Sequence, residues 1–393
     1  MNIKTAVSPK EINSQNFNIG KNMKRVFILG AGASRELKFK ISIIDAGYKT
    51  IKITDCFEIG PLSSGYFYYI SKLQDFLNKV LKVSASVKVS DDLMEQIKIY
   101  FNLNYNKDIS KKELLQEEEI SKKINIEKLY IFLEEKIQEK ERENDNLLQN
   151  KSFRNLCSAR FDLIKYIHNS MAYISYYCIS TNHAILSKYI IENGGNIISF
   201  NWDILFEEAM ITTGKWTPKD GYGINFSDII YKNEKDKRKE ILSKINSRNF
   251  ILKPHGSINW YNKDEQINTQ ILIIQLNPNL RSGNFGLLER YGKKDYFSSI
   301  TPPGIKRKSF PKVWYKMKHV LEEADEIVAI GFSFNDNDKY IKEEFNKIKY
   351  KRNINIILIN PDNEKLRTIY KTVFYTDNIC TKYKTFSQYC LSI

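Results

Sequence analysis

Arg25-Val26-Phe27-Ile28-Leu29, running straight into Gly30-Ala31-Gly32-Ala33-Ser34, is the stretch on which the fold turns. After its first residue the run is apolar and partly β-branched, with the length of a strand buried on both faces of a parallel sheet. A glycine-rich turn at the end of such a strand lets backbone N–H groups approach a pyrophosphate, because no side chain stands in the way. Arg35 occupies the place of the third glycine of the dinucleotide fingerprint, so this element alone leaves nucleotide binding and a plain tight turn equally open.

Outward from that strand, apolar runs recur at Asn196–Phe200, Asn249–Lys253, Gln270–Leu276, Glu326–Ile330 and Asn353–Ile359, several of them followed by helical periodicity. The alternation predicts an α/β fold, a Rossmann-like and mostly parallel sheet flanked by helices. Between about Asp91 and Ile191 long helical periodicity replaces it, with Ser110-Lys-Lys-Glu113 spaced as a capping box, and this predicts a large helical insertion. The expected organisation is a flexible polar arm over 1–22, a Rossmann-like domain over 23–85 and 191–393, and the helical insertion over 86–190. Asn233–Lys244 is densely charged and reads as surface helix or loop, and Leu280–Lys308, punctuated by glycine and proline, reads as irregular.

Composition excludes several function classes. Five scattered cysteines form no Cys-x-x-Cys pair and no Cys/His ligand spacing, which argues against a disulfide framework or structural zinc. The N-terminal residues lack the apolar run of a signal peptide, and no stretch approaches the roughly 20 apolar residues that span a bilayer, so a cytoplasmic protein without membrane attachment is expected. A formal charge of +15 is distributed through nearly every segment beside Glu and Asp, so a nucleic-acid partner is not supported.

Chemistry-bearing residues stand where these strands end. In Ser199-Phe200-Asn201-Trp202-Asp203, Asn201 and Asp203 lie at a carboxyl end, where an open parallel sheet binds ligands, although either residue also serves as a helix cap. In Leu252-Lys253-Pro254-His255-Gly256-Ser257 a lone histidine is left at the tip of a turn, a position suited to a general base, whereas His168, His183 and His319 fall in helical patterns. Gly331-Phe332-Ser333 and Asn360-Pro361-Asp362 follow two more strands and offer small or amide-bearing groups to phosphate and ribose hydroxyls. Asp336 and Asp338 lack calcium-loop spacing and fit a helix N-terminus. The aromatics Tyr66, Phe67, Tyr68 and Tyr69 fit core packing better than a cover over a ligand.

Taken in order, a Gly-Ala-Gly-x-Ser turn, an Asn-x-Asp motif, a strand-end His-Gly and a Gly-x-Ser turn followed by a strand ending in Asn resemble the sirtuin family. The wording Ser-Phe-Asn-Trp-Asp, Lys-Pro-His-Gly-Ser and Gly-Phe-Ser-Phe-Asn-Asp-Asn-Asp is more similar to its bacterial antiphage-defence branch than to the protein deacetylases. The resemblance covers roughly 23–85 and 190–375. It implies NAD+ as substrate and no metal, with Gly30, Ala31, Gly32 and Ser34 on the cofactor phosphates. Asn201 and Asp203 would then orient the nicotinamide ribose and carboxamide, His255 would be the base, and Gly331, Ser333 and Asn360 would hold the adenosine side.

Two departures narrow the implied reaction: Phe200 stands where the deacetylases carry Gln, and their four-cysteine zinc module is missing. NAD+ hydrolysis is therefore expected ahead of protein deacylation or of non-catalytic NAD or ADP-ribose sensing. An NAD-consuming effector also needs a gate, so the resemblance implies a homo-oligomer, a partner ATPase or other defence-system protein, or a phage-derived trigger, with 86–190 as the assembly surface.

Overall fold

The computed structural model describes residues 23–34, 36–45, 48–58, 64–80, 87–143, 150–226, 228–230, 245–262, 273–275, 297–301, 310–334, 339–351 and 353–393. The expected arm over 1–22, the charged segment Asn233–Lys244, and Asp336 and Asp338 lie outside these residues, as does most of Leu280–Lys308.

Every residue of β1 (Arg25–Leu29) is buried, as its apolar run requires. A 3-10 turn over Ala31–Ser34 follows it, and then the antiparallel pair β2 (Glu36–Asp45) and β3 (Tyr48–Glu58). Six helices come next: α1 (Tyr66–Val80), α2 (Asp91–Tyr105), α3 (Lys111–Gln116), α4 (Glu118–Lys122), α5 (Ile126–Glu143) and α6 (Lys151–Tyr177). The chain then forms β4 (Cys178–Ile179), α7 (Thr181–Asn193), β5 (Asn196–Ser199), α8 (Leu205–Thr212), α9 (Pro218–Gly221), β6 (Asp228–Ile230), β7 (Ile251–Leu252), β8 (Gly256–Asn262), β9 (Ile273–Gln275) and β10 (Phe297–Ile300). It finishes with α10 (Pro311–Glu322), β11 (Glu326–Ile330), α11 (Lys339–Asn346), β12 (Asn355–Ile359), α12 (Asn363–Phe374), β13 (Ile379–Cys380) and α13 (Phe386–Cys390).

The central sheet has six strands in the order β13-β12-β11-β1-β5-β7, all of its pairings parallel. Read from the other edge and counted along the chain, that order is 3-2-1-4-5-6, the doubly wound arrangement with its switch point between β1 and β11. The predicted α/β class is therefore what the chain forms.

Two expectations need correction. Gln270–Leu276 yields β9, which pairs antiparallel with β8 and belongs to a separate sheet, β10-β8-β9-β6, rather than to the parallel one. Within Leu280–Lys308, read as irregular, the described residues include β10, paired antiparallel with β8. Both follow from the Gly256 turn, which sends β8 away from the central sheet and gives it antiparallel neighbours.

Two apolar cores result. One surrounds the central sheet, from Phe27 and Ile28 through Ile198 and Val328 to Leu358. The other lies among α1–α6 and takes in Tyr66 and Phe67, so those aromatics are core residues. The capping box forms: the Ser110 hydroxyl accepts from the Glu113 N–H, and the Glu113 carboxylate accepts from the Ser110 N–H. Trp202, Ile204 and Leu205 are anchored in the helical core, whereas Phe200 and Phe206 belong to the sheet core. The segment that leaves β5 is thus pinned alternately into two separate cores.

Candidate functional site

That alternation places Asn201 and Asp203 between anchored neighbours, over the carboxyl ends of β1 and β5. Asn201 Nδ2 donates to the Gly30 carbonyl at 2.9 Å and to Ser34 Oγ at 3.1 Å. Ser34 Oγ donates in turn to Asp203 Oδ2 at 3.0 Å, and the second carboxylate oxygen accepts from the Leu205 N–H at 3.1 Å. Asp203, one residue before the N-cap Ile204, therefore takes the first N–H of α8 and binds the β1 turn at once. Ser34, Asn201 and Asp203 are all buried, which makes the trio a satisfied polar cluster of fixed geometry.

His255 enters from the next strand end. Gly256, at φ +74°, makes the turn behind it, and a β-carbon there would lie 1.9 Å from the Ser299 carbonyl oxygen. The imidazole meets the Phe200 ring edge-on at a centroid distance of 5.1 Å, and Phe200 stacks on Phe332 at 4.6 Å. Burial lowers the His255 pKa to about 4, against a hydrogen bond to the Phe200 main chain that acts to raise it. The ring is neutral at ordinary pH, and a bond to one nitrogen fixes the tautomer and leaves the other as an acceptor. His168 and His183 are likewise lowered to about 4 by burial; His168 Nε2 bonds the Ile258 carbonyl at 2.9 Å.

At the switch point, Gly331 adopts φ +62°, and a β-carbon on it would come within 2.5 Å of Ala33 N. A β-carbon on Gly30 would meet the Gly331 carbonyl oxygen at 2.5 Å, and the Gly32 N–H donates to that oxygen at 3.2 Å. Close backbone packing across the switch point thus requires glycine here, whatever ligand lies above. Ser333 is half-buried, and Asn360 Oδ1 accepts from the Asp362 N–H at 3.0 Å, a local turn at the end of β12. The structure joins Ser34, Asn201 and Asp203 by direct hydrogen bonds, and His255 reaches the same strand ends through its edge-on contact with the Phe200 ring. Gly331, Ser333 and Asn360 lie along the same edge of the sheet without a bond to that group among those formed by the described residues.

Sequence reasoning missed a charged layer beneath the site. Lys253 is completely buried; its ammonium donates to Glu207 Oε1 at 2.6 Å and to the main-chain carbonyl of Asp203. Glu207 also accepts from the Tyr222 hydroxyl at 3.3 Å, and Asn259 Nδ2 donates to that hydroxyl at 3.2 Å. The available signals were a lysine closing the apolar run Ile251-Leu252 and a glutamate directly after Ile204-Leu205-Phe206. Among the described residues, no group of three or more His, Cys, Asp and Glu side chains is placed to hold a metal ion. No helix among them is long and apolar enough to cross a membrane.

No family model matches the chain, and no curated protein does. Solved structures to which it is similar include one described under the mechanism and regulation of Sir2 enzymes, with TM-score 0.35, 10% identity, and 60% of this chain and 79% of that one covered. A Sir2 homologue variant in complex with ADP-ribose gives TM-score 0.35 at 14% identity, covering 61% and 74%. A Sir2 homologue–NAD complex gives 0.34 at 14%, covering 61% and 72%. Likeness at this level is partial in extent and low in identity, so what the site can do rests on its own side chains.

Proposed function

We propose that this chain is an NAD+ glycohydrolase that cleaves the nicotinamide–ribose bond to give nicotinamide and ADP-ribose, and that it depletes NAD in the cytoplasm as an effector of bacterial antiphage defence. One observation carries the reading. A hydrogen-bonded cluster of Ser34, Asn201 and Asp203 and, against the neighbouring Phe200 ring, His255 stand at the carboxyl ends of three neighbouring parallel strands, beside the switch point where doubly wound sheets bind dinucleotides. The surroundings suit such a ligand: an exposed Gly32 in the β1 turn where no side chain blocks a phosphate, hydroxyl, amide and carboxylate groups for ribose, and the stacked Phe200 and Phe332 as an apolar wall.

The bond to be broken is already activated, because nicotinamide departs as a neutral molecule from a cationic pyridinium. What is asked of the protein is placement and modest proton transfer. Asn201, with its amide held at two points, and Asp203 orient the nicotinamide ribose and ring. His255, neutral because it is buried, takes a proton from a ribose hydroxyl or from the attacking water. Gly30, Ala31, Gly32 and Ser34 hold the phosphates, and Gly331, Ser333 and Asn360 the adenosine side. No residue in this scheme requires a metal.

The test is nicotinamide release from NAD+ by purified wild type, His255→Ala and Asn201→Ala, each checked for folding, with an acetylated peptide in a parallel arm. Loss of release in both variants supports the reading. Wild-type turnover in both sinks it, and peptide-dependent turnover reassigns the chain as a deacylase. Binding of ADP-ribose without nicotinamide release, even with candidate partners and triggers present, makes it a sensing module.

Gating belongs to the same proposal. We assign it to homo-oligomerisation through the helices within 86–190, or to a partner ATPase, another defence-system protein or a phage-derived trigger acting there. Size-exclusion chromatography with light scattering, run beside the turnover assay, checks it: a constitutively active monomer contradicts it.

A further inference from the structure

A lysine with no exposed surface has to be explained by what its ammonium touches, because burying an unpaired charge is prohibitive. Lys253 is paired with Glu207 at 2.6 Å, yet the pair as a source of stability is poorly motivated, since well-packed apolar residues in place of a buried ion pair are often no less stable. Its geometry shows a more specific connection. Lys253 lies two residues before His255 on the β7 exit, and Glu207 lies in the first turn of α8, four residues after Asp203. The ammonium's second bond goes to the carbonyl of Asp203 itself. Tyr222, on Glu207, and Asn259, on Tyr222, extend the connection into β8, on the far side of His255.

We propose that the Lys253–Glu207 pair is a positioning device that holds the Asn201–Asp203 loop in register with His255. Its ionic character matters because the ammonium reaches an acceptor on the main chain of one catalytic loop while its own backbone belongs to the other. Besides Lys253, the titratable groups coupled to Glu207 are Asp203 and Tyr222, and burial raises the pKa of Glu207 while the lysine acts to lower it. Lys253 and Glu207 touch no substrate in this account, and both act through the loop they hold. The effect on turnover rests on the NAD-hydrolase reading, whereas the effect on the loop does not.

The experiment compares wild type, Lys253→Met/Glu207→Leu and Glu207→Gln. The double variant removes both charges and keeps the volume; the single one keeps an acceptor for Lys253 and Tyr222. Hydrogen–deuterium exchange of peptides covering 200–206 is read against 326–330 in the central sheet, with nicotinamide release and ADP-ribose binding on the same samples. Expected is at least tenfold faster exchange over 200–206 in the double variant, a smaller change in Glu207→Gln, and no change at 326–330. With it should come a fall of about 100-fold in kcat at a KM and an ADP-ribose affinity within threefold of wild type.

Unchanged exchange over 200–206 in a folded double variant overturns the proposal whatever the turnover. Failure of both variants to fold also overturns it, assigning the pair to stability alone. A wild type that neither binds ADP-ribose nor releases nicotinamide sinks the functional reading, while the exchange arm still decides the positioning.

Discussion

The central sheet carries a buried ion pair at each end, and the two differ in what they hold. At the start of β1 and β11, Arg25 pairs with Glu326, side chain to side chain, with Tyr189 accepting a further guanidinium bond at 2.6 Å. At the opposite end Lys253 pairs with Glu207 and also grips the main chain of Asp203. The first pair staples neighbouring strands already in parallel register, Arg25 opposite Glu326. The second joins two loops beyond the ends of β5 and β7, alongside a main-chain bond from the Ile258 N–H to the Trp202 carbonyl at 3.1 Å. Similar chemistry therefore serves cohesion at one edge of the sheet and alignment at the other, and the difference follows from whether a main-chain acceptor belongs to a working loop.

The largest effect should come from the end that carries His255. His255→Ala is expected to lower nicotinamide release by about 10²–10⁴-fold, the worth of a general base, with the melting temperature little changed. Steady-state kinetics and calorimetry on one preparation check both halves. At the far end the signs reverse: Glu326→Ala leaves a buried guanidinium unpaired and should cost about 3–5 kcal/mol in denaturant titration, with kcat intact where the protein is folded.

Acid probes the same contrast. His168, His183 and His255 are each lowered by burial to about 4, whereas an unfolded histidine titrates near 6.5. Between those values the unfolded chain binds more protons, so stability should fall as the pH drops from about 6.5 towards 4, by up to about 1.4 kcal/mol per unit for each ring. Urea titrations at successive pH values read the slope, and a flat profile would mean the rings are not sealed from water. Exchange at 253–257, beside His255, should rise before that of β1.

Ser34→Ala removes the hydroxyl that links Asn201 to Asp203 and should cost about 1–3 kcal/mol and roughly tenfold in turnover. The smallest functional effect is reserved for Arg25→Met/Glu326→Leu, expected to be stability-neutral or better and to leave turnover within twofold. A loss of turnover there comparable to that of the apolar variant at Lys253 and Glu207 would erase the distinction between the two ends.

Much of the sheet was legible because fully buried parallel strands read as unbroken apolar runs. β1 and β11 carry the predicted limits, and β5 and β12 lie within one or two residues of theirs. β7 shrinks to Ile251–Leu252, since only those two residues of Asn249–Lys253 find parallel partners. The β2–β3 hairpin was missed although Phe39, Ile41 and Ile43 alternate with polar residues, a period-2 signal overlooked in favour of the glycine turn before it.

The strand-end positions of Ser34, Asn201, Asp203 and His255 were legible, but not the bonds among the first three. Ser34 and Asp203 are 169 positions apart, and nothing local announces that pairing. Lys253 and Glu207 escaped for a related reason: each looks like an ordinary surface charge until burial shows that it needs the other.

The pairing of β1 has a consequence in time. Its neighbours in the sheet are β5, where Val26 meets Asn196, and β11, where Arg25 meets Glu326, 301 positions along the chain. At a synthesis rate of about 5–20 residues per second, the first strand emerges from the ribosome tens of seconds before the partner that completes the switch point. Translation that halts before β11 leaves the glycine turn without Gly331 to pack against, and hence an incomplete switch point. If the chain hydrolyses NAD as proposed, this strand order keeps it inert for most of its own synthesis.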